Sequence, residues 1–168
     1  MKLPGRMIDL SSPLENETVY DPPFMRPKIE YRSNADTAPL LLELFPGLRR
    51  EDLPDGEGWA IEEIKLTTHN GTHMDAPIHV LENTPFITEY ETWRFFGTGV
   101  VVSIPKGKWG VVTPEDLEKA RPKIQPGDIV MINTGSHHNW GDNPDYFAYS
   151  PGLYKAAAEW LVARKVKL

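Results

Sequence analysis

The apolar positions of this chain come in short clusters, not long stripes. MIDLSS (7–12) turns from apolar to polar and reads as a short strand. From Leu14 to Pro39 prolines recur and no period survives, so an ordered arm is expected there, with Tyr20, Phe24, Met25 and Tyr31 needing something to rest on. LLLELF (40–45) is a short apolar piece, and REDLPDGEG, which follows shortly after, is rich in turn formers. WAIEEIKLTTH (59–69) is β-rich, with Ile61, Ile64 and Leu66 alternating imperfectly. GVVVSIP (99–105) has the length and β-branching of a buried strand. TPEDLEKA (113–120) opens a helix: Thr113 is the N-cap, Pro114 takes the first helical position, and Glu115 and Asp116 sit at the positive end of the dipole. QPGDIVMINTG (125–135) is a turn and then a buried strand. SPGLYKAAAEWLVARK (150–165) predicts a second helix, capped by Ser150, with Leu153, Ala157, Trp160 and Leu161 as its apolar stripe. Val166 and Leu168 then read as the opening of a further buried strand, so the domain is expected to be interrupted at its C-terminus.

Strands mixed with helices place the chain in the α/β class, and 168 residues make one ordinary domain, 1–168. Sixteen prolines favour short elements joined by ordered turns over a helical bundle. A net charge of −6 without a basic cluster argues against a nucleic-acid groove or an anionic membrane surface as partner. The absence of cysteine excludes disulfides and thiolate metal sites. No apolar run approaches the ~18 residues of a membrane span. Residues 1–25 lack the basic and apolar regions of a signal peptide, so a cytoplasmic location is expected.

The chemistry gathers in TTHNGTHMDAPIHV (67–80), which holds three of the five histidines. His69, His73, Asp75 and His79 follow one another at spacings of four, two and four. On a straight strand, at about 3.3 Å per residue, His69 and His79 would stand roughly 33 Å apart, too far for one site. Asn70-Gly71 and Ala76-Pro77 are turn formers inside the two wider gaps, so the loop is expected to curl back and aim its side chains at one point. Imidazole and carboxylate donors suit Zn, Mn or Fe. His69, His73 and Asp75 supply three ligands and leave an open position for water, whose pKa falls to about 7 on zinc. The resulting metal-bound hydroxide would attack a carbonyl. His79 is the natural proton carrier, since imidazole takes and gives a proton near neutrality. Thr72 and Asn70 stand ready to orient the ligands.

The run HNGTHMDAPIH resembles the His-x-Gly-Thr-His-x-Asp-x-Pro-x-His signature of the cyclase family of metal-dependent hydrolases, matching every signature position from His69 to His79. The resemblance extends to IDLSSPL, LFPGLRREDLPDGEGWAIEEI, WRFFGTGVVV, PGDIVMINTG and PGLYKAAAEWLVARKVKL, and so covers nearly the whole chain. It implies a divalent metal, Zn or Mn, on His69, His73 and Asp75, with His79 as proton donor and acceptor. It implies hydrolysis of a non-peptide C–N bond in a small, cyclic or aryl, amide substrate. The implied fold is a layered β/β/α sandwich with a barrel-like mixed sheet. The implied assembly is a homo-oligomer, or a pairing with a complementary C-terminal segment bearing a further histidine and glutamate. Tyr20 stands nearest to a tryptophan that lines the substrate in the family's formamidases.

Other residues carry plainer readings. His137 and His138, in NTGSHHNWGDN, read as part of a solvated loop, and Trp93, Phe95 and Phe96 as core. Tyr20 and Phe24 read equally as pocket walls and as the arm's own apolar contacts. Two other functions fit part of the pattern. His73, Asp75 and His137 form the two-histidine, one-carboxylate set of a non-haem Fe(II) oxygenase, which leaves His69 and His79 without a role. A non-catalytic metal-binding subunit needs only the ligands.

Overall fold

The structure is a computed structural model that describes residues 5–18, 21–141 and 144–168; Tyr20 lies outside them. The chain forms two compact units, Met1–His73 and Met74–Leu168.

In the first unit β1 (Lys28–Arg32) pairs antiparallel with β2 (Ile61–Lys65), Lys28 opposite Lys65 and Arg32 opposite Ile61. Between them runs α1 (Asn34–Leu44). The arm expected over residues 14–39 is therefore partly regular structure. Two signals hidden among its prolines explain this. Lys-Ile-Glu-Tyr-Arg carries β-formers at Ile29 and Tyr31 and buries Ile29 between exposed neighbours. Ser33 and Asp36 form a capping box: the Ser33 N–H donates to Asp36 Oδ2 at 2.9 Å and the Asp36 N–H to Ser33 Oγ at 3.3 Å. The helix then runs on past Pro39.

Asn16 acts as a substitute strand residue. Its Nδ2 donates to the Ile29 carbonyl at 2.8 Å, and its Oδ1 accepts from the Ile29 N–H at 2.6 Å. The expected strand at residues 7–12 does not form. Met7, Ile8 and Leu10 are exposed, and no backbone ladder joins this stretch among the described residues. Helix α1 presses close on the chain leading into β2. Thr37 Oγ1 donates to the Trp59 carbonyl, and a Cβ at Gly58 would stand 2.5 Å from Thr37 Oγ1, so only glycine fits.

In the second unit β3 (Gly99–Ser103) pairs parallel with β5 (Ile129–Asn133). A shorter parallel ladder joins β4 (Val111–Val112) to β6 (Gly152–Leu153). Helices α2 (Pro114–Lys119), α3 (Pro144–Ala148) and α4 (Lys155–Ala163) complete it. The core is Val102, Ile104, Val112, Leu117, Ala120, Ile124 and Ala157, with Val100, Val130, Ile132, Trp160, Leu161 and Val166 against it. The strands β3 and β5 and the helix after Thr113 stand where the pattern put them. The last helix starts later than its Ser-Pro signal. Gly152 donates its N–H to the Gly110 carbonyl at 3.0 Å and joins the β4 ladder, so helix begins only at Lys155. After α4 the chain runs beside β5: Lys167 N–H donates to the Asp128 carbonyl and Val130 N–H to the Leu168 carbonyl, both at 2.8 Å.

The class is α/β, as expected. Among the described residues the strands form three two-stranded ladders and no closed barrel. No helix among them is long and apolar enough to cross a membrane.

Candidate metal centre

Strand β2 ends at Lys65, and His69, the first residue of the histidine loop, follows four residues later. Its first bend is at Gly71, with φ +61°. A Cβ there would stand 2.9 Å from Leu14 Cδ2, so the residue has two reasons to be glycine. The bend is tied down from both sides. Asn70 is buried, and its Nδ2 donates to Asp21 Oδ2 at 2.7 Å and to the Met25 carbonyl at 3.0 Å. Thr72 Oγ1 accepts the Ser12 N–H at 2.9 Å and lies 3.1 Å from Ser12 Oγ. These partners lie some 45 to 60 residues away in sequence. No local signal announces them. The second bend is a single 3-10 turn, Pro77–His79, whose His79 N–H donates to the Ala76 carbonyl at 3.0 Å.

The loop presents its donors in two pairs. In the first unit His73 Nε2 lies 3.0 Å from His69 Nδ1, with the rings edge to face at 4.9 Å. In the second, ligand atoms of Asp75 and His79 lie within 4.8 Å of each other. His69 is half-buried and Asp75 and His79 are exposed, so water and a small solute reach them. The other nitrogen of His73, Nδ1, lies 2.9 Å from the Gly71 carbonyl. A carbonyl only accepts, so Nδ1 carries the proton and Nε2 presents a lone pair. An outer N–H held by a backbone carbonyl is the usual support of a metal-ligating imidazole.

The donors fit a divalent ion. Two nitrogens bound to one ion at about 2.1 Å, at angles from square to tetrahedral, stand roughly 3.0–3.4 Å apart. The His69–His73 pair has that separation. Nitrogen and carboxylate donors without thiolate match Zn, Mn or Fe.

Asp75 also lines a cavity of about 180 Å³ in the second unit, together with Pro77, Ile87, Tyr90, Arg94 and Phe95. Phe95 thus faces this cavity, where the sequence suggested core, and Arg94 was given no role. A charged residue between two aromatics carries no pattern that separates a cavity wall from a surface. His137 sits on the 3-10 turn Ser136–Asn139 with its ring 4.0 Å from that of His138. It is not among the grouped donors.

The Cyclase family ("Putative cyclase") matches residues 8–168, and the chain belongs to it. Kynurenine formamidase of Bordetella petrii is 30% identical over 139 residues, 74% of this chain and 60% of that protein. Isatin hydrolase A from Labrenzia aggregata, solved bound to benzyl benzoate, superposes with a TM-score of 0.67 at 24% identity, over 96% of this chain and 65% of that one. A structure described as a potential metal-dependent hydrolase with cyclase activity gives 0.64 at 17% identity, over 95% and 63%. The chain spans about 60% of the length of the formamidase it matches. At these identities the two superpositions establish a shared α/β fold.

Proposed function

We propose that this chain belongs to a metal-dependent hydrolase that cleaves the non-peptide C–N bond of a small amide. The two donor pairs of one eleven-residue loop carry the reading: His69 with His73 at 3.0 Å, and Asp75 with His79 within 4.8 Å. Membership of the Cyclase family and the names of its relatives, a kynurenine formamidase and an isatin hydrolase, support it.

His69, His73 and Asp75 would hold the ion, Zn or Mn. When bound, it supplies a Lewis acid that polarises the amide carbonyl and makes a water acidic near neutral pH. The chain's own residues do the rest. Gly71 fixes the tautomer of His73 through its carbonyl, and Asn70 and Thr72 hold the bend that aims both imidazoles. His79, exposed at the end of its turn, would take a proton from the attacking water and deliver it to the leaving nitrogen, because an amine leaves an amide only when protonated. A second assignment has one observation in its favour. A ring nitrogen of His79 lies within 4.8 Å of an Asp75 oxygen, which would make His79 a ligand and His73 a supporter.

We also infer a layered β/β/α sandwich with a barrel-like sheet for the whole protein. In this reading it is cytoplasmic, and completed by oligomerisation or by a complementary C-terminal segment. Metal content by mass spectrometry and hydrolysis of a simple aryl amide without O₂ test the function. Metal with anaerobic hydrolysis supports it. Turnover that requires O₂, or metal without turnover, overturns it in favour of an oxygenase or a non-catalytic subunit.

A further inference from the structure

Residues 21–26 of the arm form a closed turn. Met25 donates its N–H to the Pro22 carbonyl at 2.8 Å, and Arg26 Nε donates to the Asp21 carbonyl at 3.3 Å. Pro22 and Pro23 lie inside the turn and fix their own φ angles. The turn therefore presents two acceptors at a set spacing, Asp21 Oδ2 and the Met25 carbonyl. One side-chain amide takes both: Asn70 Nδ2 donates to them at 2.7 and 3.0 Å.

This contact fixes an orientation as well as a place. Both amide hydrogens are committed, and a flipped amide would set its oxygen against two acceptors. Asn70 Oδ1 is left buried without a partner, which is costly. The fold accepts that cost at the residue between His69 and Gly71, where the loop makes its first bend. The signature His-x-Gly-Thr-His leaves this position open, so the resemblance assigns Asn70 nothing. The arm reaches the same bend twice more, through the Ser12 N–H on Thr72 at 2.9 Å and Leu14 Cδ2 against Gly71. Asp21 is the charged acceptor among these contacts, and a carboxylate makes the stronger hydrogen bond.

We propose that Asp21 is a positioning residue for the His69–His73 pair. Through the Asn70 amide it holds the bend in the shape that sets the two imidazole nitrogens 3.0 Å apart and keeps His73 Nδ1 on the Gly71 carbonyl. The inference rests on the hydrolase reading for what the pair binds, while the geometry it explains lies wholly within the first unit.

Two readouts on the 168-residue chain test this. The first is affinity for Zn²⁺, by competition with a chromogenic chelator. Asp21→Ala should weaken it about tenfold, the lower end of what a lost outer partner costs a metal site. Asp21→Asn keeps an acceptor at the same reach and should lose only about threefold, since a neutral acceptor makes roughly half the bond. The second readout needs no metal. Nitrogen-15 NMR of the metal-free protein at about pH 8.5, where free imidazole is neutral, reads which nitrogen carries the proton. His73 should be the Nδ1–H tautomer in wild type and in Asp21→Asn, and should lose that preference in Asp21→Ala. A merely structural role would lower the urea midpoint and leave both readouts of the folded protein in place. Should Asp21→Ala not melt in one transition, Asp21→Ser carries the test: it suits a turn, but its hydroxyl stops about one bond short of Asn70. An unchanged tautomer or an unchanged affinity in a folded alanine or serine variant overturns the proposal. So does a loss in Asp21→Asn as large as in Asp21→Ala. A wild type that binds no Zn²⁺ sinks the hydrolase reading and leaves the tautomer to decide the role of Asp21. Zn²⁺ binding that is indifferent to residue 21 does the reverse.

Discussion

At the scale of single residues, the proposed function divides the loop 69–79 between metal binding and proton transfer. His73 has its Nδ1 committed to the Gly71 carbonyl and its Nε2 to the His69 side, whereas His79 sits exposed at the end of its turn. His79→Ala is therefore expected to lower kcat by roughly 10²–10⁴-fold with metal content retained. His73→Ala is expected to empty the site. Metal analysis of the two variants decides the ligand set, and the reverse pattern would assign the third ligand to His79. Gly71 is the second test. Alanine there must hold φ +61° and displace Leu14. Gly71→Ala should destabilise the fold by about 1–2 kcal/mol, read by urea denaturation, and weaken metal binding as the bend relaxes.

At the scale of elements, two helices start on the same device. Thr113 and Asp116 reproduce the Ser33–Asp36 box, with the Thr113 N–H donating to Asp116 Oδ2 at 2.9 Å. Lys106 Nζ adds an ion pair to Asp116 at 2.7 Å. Lys106 first, then the Thr113 backbone, hold the Asp116 carboxyl below its ordinary 3.8. The Ser33 hydroxyl and then its N–H do the same for Asp36. Both folded values lie below the unfolded ones. Between them the unfolded chain binds more protons, so stability rises with pH across that window. The contribution is complete above about pH 4 and is lost as pH falls through the lowered values. The urea midpoint should therefore drop on acidification below about pH 4. Asp116→Asn should shallow that drop; an unaltered pH profile would count against the box. Thr113→Ala should cost about 1 kcal/mol at neutral pH.

At the scale of the whole molecule, stability depends on the core of the second unit and, in the proposed reading, on a bound metal. Leu117 is 1% exposed among Val102, Val112 and Ala157. Leu117→Ala leaves a cavity that the flanking ladder and helix refill only in part, and should cost about 2–5 kcal/mol by urea denaturation. Metal bound only by the folded chain adds stability by mass action, about 2.7 kcal/mol at one hundred times the dissociation constant. Chelation should therefore lower Tm, and His69→Ala should abolish the difference between chelated and metal-loaded samples. A Tm indifferent to chelator would mean that the donors hold no ion.

What the sequence determined by itself was local. β3, β5 and the helix after Thr113 follow from β-branching, side-chain period and cap chemistry, each contained within a few neighbouring residues. The candidate loop stood out for the same reason: its donors and its two turn formers fall within eleven residues, 69 to 79. Where local signals competed, tertiary structure chose between them. Prolines hid β1 and α1, whose registers are set by the β2 partner, the Asn16 side chain and the close approach at Gly58. A strong Ser-Pro start at 150 lost to the pairing of Gly152 with Gly110. An apolar stretch at 7–12 found no ladder to join. Nothing local could show that Asp21 and Ser12 brace the histidine loop, or that Arg94 meets Asp75 across one cavity. Those relations join residues some 19 to 60 positions apart, and only the folded backbone brings such residues within reach of one another.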